Sequence, residues 1–184
     1  MTTKEKFSDF LNKKVGNTTI SESELITKRK NQWIKKVDFF YKKIRGYLKD
    51  YDDKMEFEIK EHELFEEGIG GYLINSLIVK VKDDRHTTIL FEPKGTFAVG
   101  AFGRIDIIGN YGKTHILLVK KDWKGFDSKN SAPYLSPIPE KVEWKIMNFP
   151  EQMAYLKLTE DEFLNAFADV GYGEKMQSSL SAFY

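Results

Sequence analysis

The sequence predicts a single α+β domain over residues 1–184: a long basic amphipathic helix, an antiparallel sheet of about five to six strands, then a C-terminal helix. Three observations carry this. Apolar residues recur at helical spacing between Ile26 and Tyr51. From Met55 to Lys121 the period shortens to that of strands. The connections between those strands are short, whereas parallel crossovers need about a dozen residues or more.

Taken in order, residues 1–20 read as a loosely held arm, in which Phe7, Phe10 and Leu11 could line a short helix ended at Gly16 and Asn17. Ser21 and Glu24 have the spacing of a capping box, in which hydroxyl and carboxylate satisfy orphan amides reciprocally. Ile26, Trp33, Val37, Phe40, Ile44, Leu48 and Tyr51 then follow at gaps of 7, 4, 3, 4, 4 and 3. Gly46 lies inside that run and weakens it.

The strands begin with MEFEIKEHELF, which puts Phe57 and Ile59 on one face. GGYLINSLIVKV groups Leu73, Leu77, Val79 and Val81. HTTILFEPKG is a third strand, and TFAVGAFGRIDIIG a fourth with Gly100 and Gly103 as bends. GNYGK is a hairpin connection into THILLVKK. The helix stripe of Trp33, Val37, Phe40 and Ile44 should meet Leu77, Val79, Ile105, Ile107, Leu117 and Val119. Asp122 to Glu140 is a proline-containing loop, long enough to be a candidate functional segment. KVEWKIMNF is a candidate sixth strand. Thr159 and Glu162 form a second capping box, and Gly171 should stop the final helix.

Composition excludes several classes. There are no cysteines, so disulfides, thiol nucleophiles and cysteine metal sites are absent. Net charge is +1, from 29 basic and 28 acidic residues, so total charge points to neither nucleic acid nor a membrane. No apolar run has signal-peptide or membrane-spanning character, which predicts a soluble, cytoplasmic protein. No nucleophile elbow or phosphate-binding glycine fingerprint occurs, and His62, His86 and His115 show no metal-helix spacing. No cofactor or metal is expected.

The stretch GRIDIIGNYGKTHILLVKK, Gly103 to Lys121, resembles the active-site hairpin of metal-dependent nucleases of the PD-(D/E)XK type. The resemblance covers about a tenth of the chain. It implies Asp106 as a metal-binding acid and Lys120 as the lysine that polarises water. The second acid of that pattern falls at Leu118, which cannot ligate a metal. A proline-containing loop also stands where the family has a helix. Glu58, Glu61 and Glu63 are the acids that could substitute. The plain alternative puts Asp106 and Lys120 on the solvent face of an ordinary hairpin.

Charge segregation is the strongest remaining feature. Nine basic residues lie between Lys28 and Lys49, with Asp38 the single acid among them. Most fall opposite the apolar stripe, and Phe39 falls with them. From Glu56 to Glu67 the sign reverses, with six acids against Lys60. The sequence is therefore read as a non-catalytic protein-binding module acting through charged and aromatic patches. Lys28, Lys35, Lys36, Phe39, Lys42, Lys43, Glu58, Glu61 and Glu63 are its candidate binding residues. A small defence or immunity protein suits that description on context alone. The alternatives are nucleic-acid binding by residues 28–49, and a divergent nuclease at Asp106 and Lys120.

Overall fold

The computed structural model describes residues 2–5, 7–8, 21–96, 98, 100–123, 136–148 and 154–174. Most of the N-terminal arm, the middle of the proline-containing loop and the C-terminal tail fall outside these residues. The fold is α+β. Helix α1 (Glu22–Tyr47) and a short 3-10 turn (Lys49–Tyr51) precede the strands. These are β1 (Met55–Glu66), β2 (Gly70–Val81), β3 (Asp84–Gly95), β4 (Gly103–Gly109), β5 (Gly112–Lys120), β6 (Val142–Asn148) and β7 (Ala154–Lys157). Helix α2 (Glu160–Tyr172) closes the described chain. The strands form one seven-stranded antiparallel meander in sequence order, so the sheet has more strands than the five to six expected. β7 is the addition. Its four residues, AYLK, are too few to display a period.

Helix α1 starts where the capping box predicts. The Ser21 amide donates to Glu24 Oε2 at 2.9 Å, and the Glu24 amide donates to Ser21 Oγ at 3.3 Å. Its inward stripe is Trp33, Val37, Phe40 and Ile44, all fully buried, with Leu48 just beyond its end. Phe40 packs against Phe91 at 6.3 Å and Trp144 at 5.0 Å between ring centroids. Gly103 lets the helix approach, because a Cβ there would collide with the Trp33 ring. Helix α2 adds Phe163, whose ring lies 6.1 Å from Phe91 and 5.7 Å from Tyr47. Its stop is Gly173, in the left-handed conformation at φ 69° and donating to the Asp169 carbonyl. Gly171, expected to end the helix, is instead buried within it.

Strand register sets which side chains meet the helices. Leu77, Phe91 and Ile107 form one rung, and Ile105, Ile116 and Ile146 another. The β5 residues facing the helices are thus Ile116 and Leu118. Leu117 and Val119, expected there, form a second small core on the opposite face with Ala101 and Trp123. Trp123 meets Tyr155 edge-on at 4.9 Å. Both parities of β5 are apolar, so the strand is buried on both faces.

The β1–β2 hairpin departs from simple alternation. Its ladder is unbroken from Met55↔Val81 to Glu66↔Gly70. Leu77 and Val79 are buried near its base, whereas Tyr72 and Ile74 are buried near its tip. The inward side therefore changes from odd to even residues along the ribbon, as strong twist in a two-stranded ribbon produces. Leu73, expected with Leu77 and Val79, consequently faces solvent.

Candidate functional site

Asp106 sits mid-strand in β4, opposite Glu92 on β3 and His115 on β5. Only 2% of its side chain is exposed, so it does not lie on a solvent face. Arg104 grips the carboxylate with two bonds, Nε to Oδ1 at 2.6 Å and Nη2 to Oδ2 at 2.8 Å. His115 Nδ1 lies 2.8 Å from Oδ1. Burial pushes the Asp106 carboxyl up, but the hydrogen bonds from Arg104 and His115 outweigh it and hold it below the ordinary carboxylate range. A carboxylate that orients a histidine through Nδ1 can serve a general base. Here the same carboxylate is neutralised bidentately by arginine, which makes the group a strut across β4 and β5.

The residues of the nuclease-like pattern are not brought together. Lys120 pairs with Val142 at the far end of β5, five residues beyond His115, or about 17 Å of strand. Alternation also puts Lys120 on the side of Ile116 and Leu118, away from Asp106. Leu118, at the second acid position, is buried on the helix side. Glu58, Glu61 and Glu63 are on β1, three strands away from β4. Among the described residues no three His, Asp or Glu side chains group to hold a metal.

A second buried polar group fixes the hairpin to the helix. Arg29, fully enclosed, donates to the carbonyls of Thr96 and Ser136, both at 2.8 Å. Glu66 Oε2 accepts from the Thr96 amide at 2.6 Å and its hydroxyl at 3.0 Å, and Glu66 Oε1 accepts from the Tyr72 hydroxyl. Burial and then Glu66 push the Tyr72 hydroxyl above its ordinary range. Burial lowers the Arg29 value, opposed by Glu66 and Tyr72. One of the nine basic residues between Lys28 and Lys49 is thus interior. Gln32 exchanges two bonds with the backbone of Ile138, at 2.8 and 3.2 Å, so the end of the proline-containing loop also docks on α1.

Anchored from inside near its tip, the hairpin turns its odd-numbered side outward there, whereas at its base the same side includes the buried Leu77, opposite Ile59. Ile59, Glu61, Glu63 and Phe65 share one side of β1, and Leu73 stands opposite Glu63. Ile59, Phe65 and Leu73 are 52%, 77% and 57% exposed. Glu61 and Glu63 are exposed between them. β1 is also an edge strand, with one row of backbone groups unpaired by the sheet. Glu58 pairs with Lys80 at 2.7 Å, and that ammonium holds its carboxyl below the ordinary range.

The other surface lies on α1. Lys28, Lys35 and Lys42 are exposed and recur every seven residues. At about 100° per residue they lie opposite the buried stripe. Phe39, 64% exposed, stands beside them, with Lys42 Nζ 5.5 Å from its ring centroid. Lys36 is half-buried, and Lys43 turns aside over the Tyr47 ring at 5.7 Å. The sequence pattern names the charged residues of both patches but neither the exposed Phe65 and Leu73 nor Arg104 and His115 as the partners of Asp106. The missed signal is the hairpin itself: a two-residue loop between Gly109 and Gly112 sets position 106 opposite position 115.

Comparison with known proteins returns no match among family models, curated proteins or solved structures. Among the described residues no helix is long and apolar enough to cross a membrane.

Proposed function

We propose that this chain is a non-catalytic protein-binding module whose β1–β2 hairpin docks a basic protein surface. The observation that carries the reading is the outward side of the hairpin. Two large apolar side chains, Phe65 and Leu73, stand exposed beside Glu63, with Glu61 and the half-exposed Ile59 further along the same strand. Exposed charge alone is ordinary. Contiguous exposed apolar groups with a polar rim mark interaction sites. The carboxylates select a basic partner and speed its encounter, while the apolar groups supply burial. Among the described residues β1 is an edge strand of the sheet, a position from which backbone groups can pair with an added strand. A cytoplasmic location is part of this proposal and rests on the cysteine-free composition.

The test is capture of a stoichiometric partner by the tagged full-length protein at physiological salt. The partner should be lost in Glu61→Lys/Glu63→Lys and in Phe65→Ser, with melting temperature unchanged. Retention in both variants would contradict the hairpin as the docking face.

Nucleic-acid binding is the second reading, favoured by the lysine stripe and exposed Phe39 on α1. It requires oligonucleotide affinity that falls by about 0.9 log unit per log unit of salt for each duplex phosphate neutralised. Loss of that binding in Lys35→Glu/Lys42→Glu would promote it. The nuclease reading requires divalent-ion-dependent cleavage that both Asp106→Asn and Lys120→Ala abolish.

A further inference from the structure

We infer that the basic surface docked by the hairpin is helix α1 of a second copy of this chain, in a head-to-tail contact. The inference rests on the protein-binding reading above and names its partner. Four observations on the two surfaces carry it. The first is charge: Glu61 and Glu63 on one surface face the sign of Lys28, Lys35 and Lys42 on the other. The second is apolar matching, since each surface adds exposed aromatic area, Phe65 on the hairpin and Phe39 on the helix. The third is length. Lys28 to Lys42 spans about 21 Å of helix, and Ile59 to Phe65 spans about 20 Å of strand.

The fourth is that the surfaces leave each other unused within one chain. Among the described residues no ion pair joins Glu56, Glu58, Glu61 or Glu63 to an α1 lysine. The lysine stripe points away from the sheet, and the hairpin reaches α1 through its opposite side, with Tyr72 bonded to Glu66 beside Arg29. Net charge of +1 adds little long-range repulsion between copies. Symmetric pairing of two β1 edges is disfavoured, because it would set the acids of one strand against those of the other. A contact between different surfaces leaves one helix face and one hairpin face free at the ends, so it grows into a ring or an open chain.

Sedimentation of the full-length protein across a concentration series tests this. The wild type should exceed monomer mass near 0.05 M salt and dissociate near 0.5 M, with association weakened at least about tenfold. Lys35→Glu/Lys42→Glu alone and Glu61→Lys/Glu63→Lys alone should each be monomeric, with unchanged circular dichroism. Mixing the two should restore association, because each supplies the face that complements the other. Phe39→Ser and Phe65→Ser, which keep every charge, should each weaken it. A wild type that stays monomeric throughout overturns the inference, as does association persisting in both charge variants. Single-variant loss without rescue on mixing also overturns it. Hairpin-dependent capture of a different protein would leave the protein-binding reading standing in any of these cases.

Discussion

Asp106 and Glu63 are both carboxylates on antiparallel strands of one sheet, and their surroundings are opposite. Asp106 is 2% exposed and holds Arg104 and His115 within 2.8 Å. Glu63 is exposed beside Phe65 and Leu73, which are themselves 77% and 57% exposed. The difference shows how position in the fold divides the work of one residue type. A buried carboxylate must be matched inside the molecule, because an unmatched charge there costs several kcal/mol. An exposed one is solvated and remains available for an outside partner. Asp106, the residue that looks most chemical in the sequence, is thus engaged by its own sheet, whereas the ordinary-looking Glu61 and Glu63 of β1 face solvent.

The largest effect that would break this comparison is loss of Asp106. Asp106→Ala should cost about 2–3 kcal/mol, since it removes the acceptor shared by His115 and Arg104 while leaving the Arg104 guanidinium, 37% exposed, in contact with water. Urea unfolding would measure it, and a cost under about 1 kcal/mol would remove the strut from the account. Phe40→Ala should cost about 3–5 kcal/mol by emptying the space between Phe91 and Trp144. That variant calibrates the polar strut against the apolar core.

Acid titration sharpens the comparison at smaller scale. The Asp106 carboxyl is depressed in the folded state. Between that depressed value and the unfolded value of about 3.9, the unfolded chain binds the proton first. Ionised Asp106 therefore adds stability above about pH 4, and this is lost as pH falls through the folded value. Asp106→Asn should flatten the acid limb of a stability–pH curve. Glu63→Ala should leave the unfolding free energy at neutral pH within about 0.5 kcal/mol of wild type. An equal response in the two variants would erase the distinction.

Parts of this arrangement are legible in the sequence. Ser21 and Glu24 announce the start of α1, and its 3.6-residue stripe identifies Trp33, Val37, Phe40 and Ile44 as core. These signals are local, so they survive without tertiary information. Arg29 is not legible. Its acceptors are 67 and 107 residues away, and nothing in a run of basic residues distinguishes the interior one. In THILLVKK both alternating sets are apolar, so parity cannot say whether Leu117 or Leu118 faces the helices. The change of inward side along β1 and β2 depends on ribbon twist, which acts over the whole hairpin and leaves no residue-type signature. The exposed positions of Phe65 and Leu73, and so the apolar part of the proposed docking face, follow from that change of side.

The most direct test sets the buried acid and the two hairpin acids side by side in one pair of readouts. Asp106→Asn and Glu61→Lys/Glu63→Lys are each assayed for melting temperature and for capture of the protein partner, whether a second copy or another protein. The account predicts a crossed pattern: Asp106→Asn lowers the melting temperature yet still captures the partner below it, and the hairpin variant melts like wild type but captures nothing. Partner capture that fails in Asp106→Asn while it is folded, or persists in the hairpin variant, would contradict it.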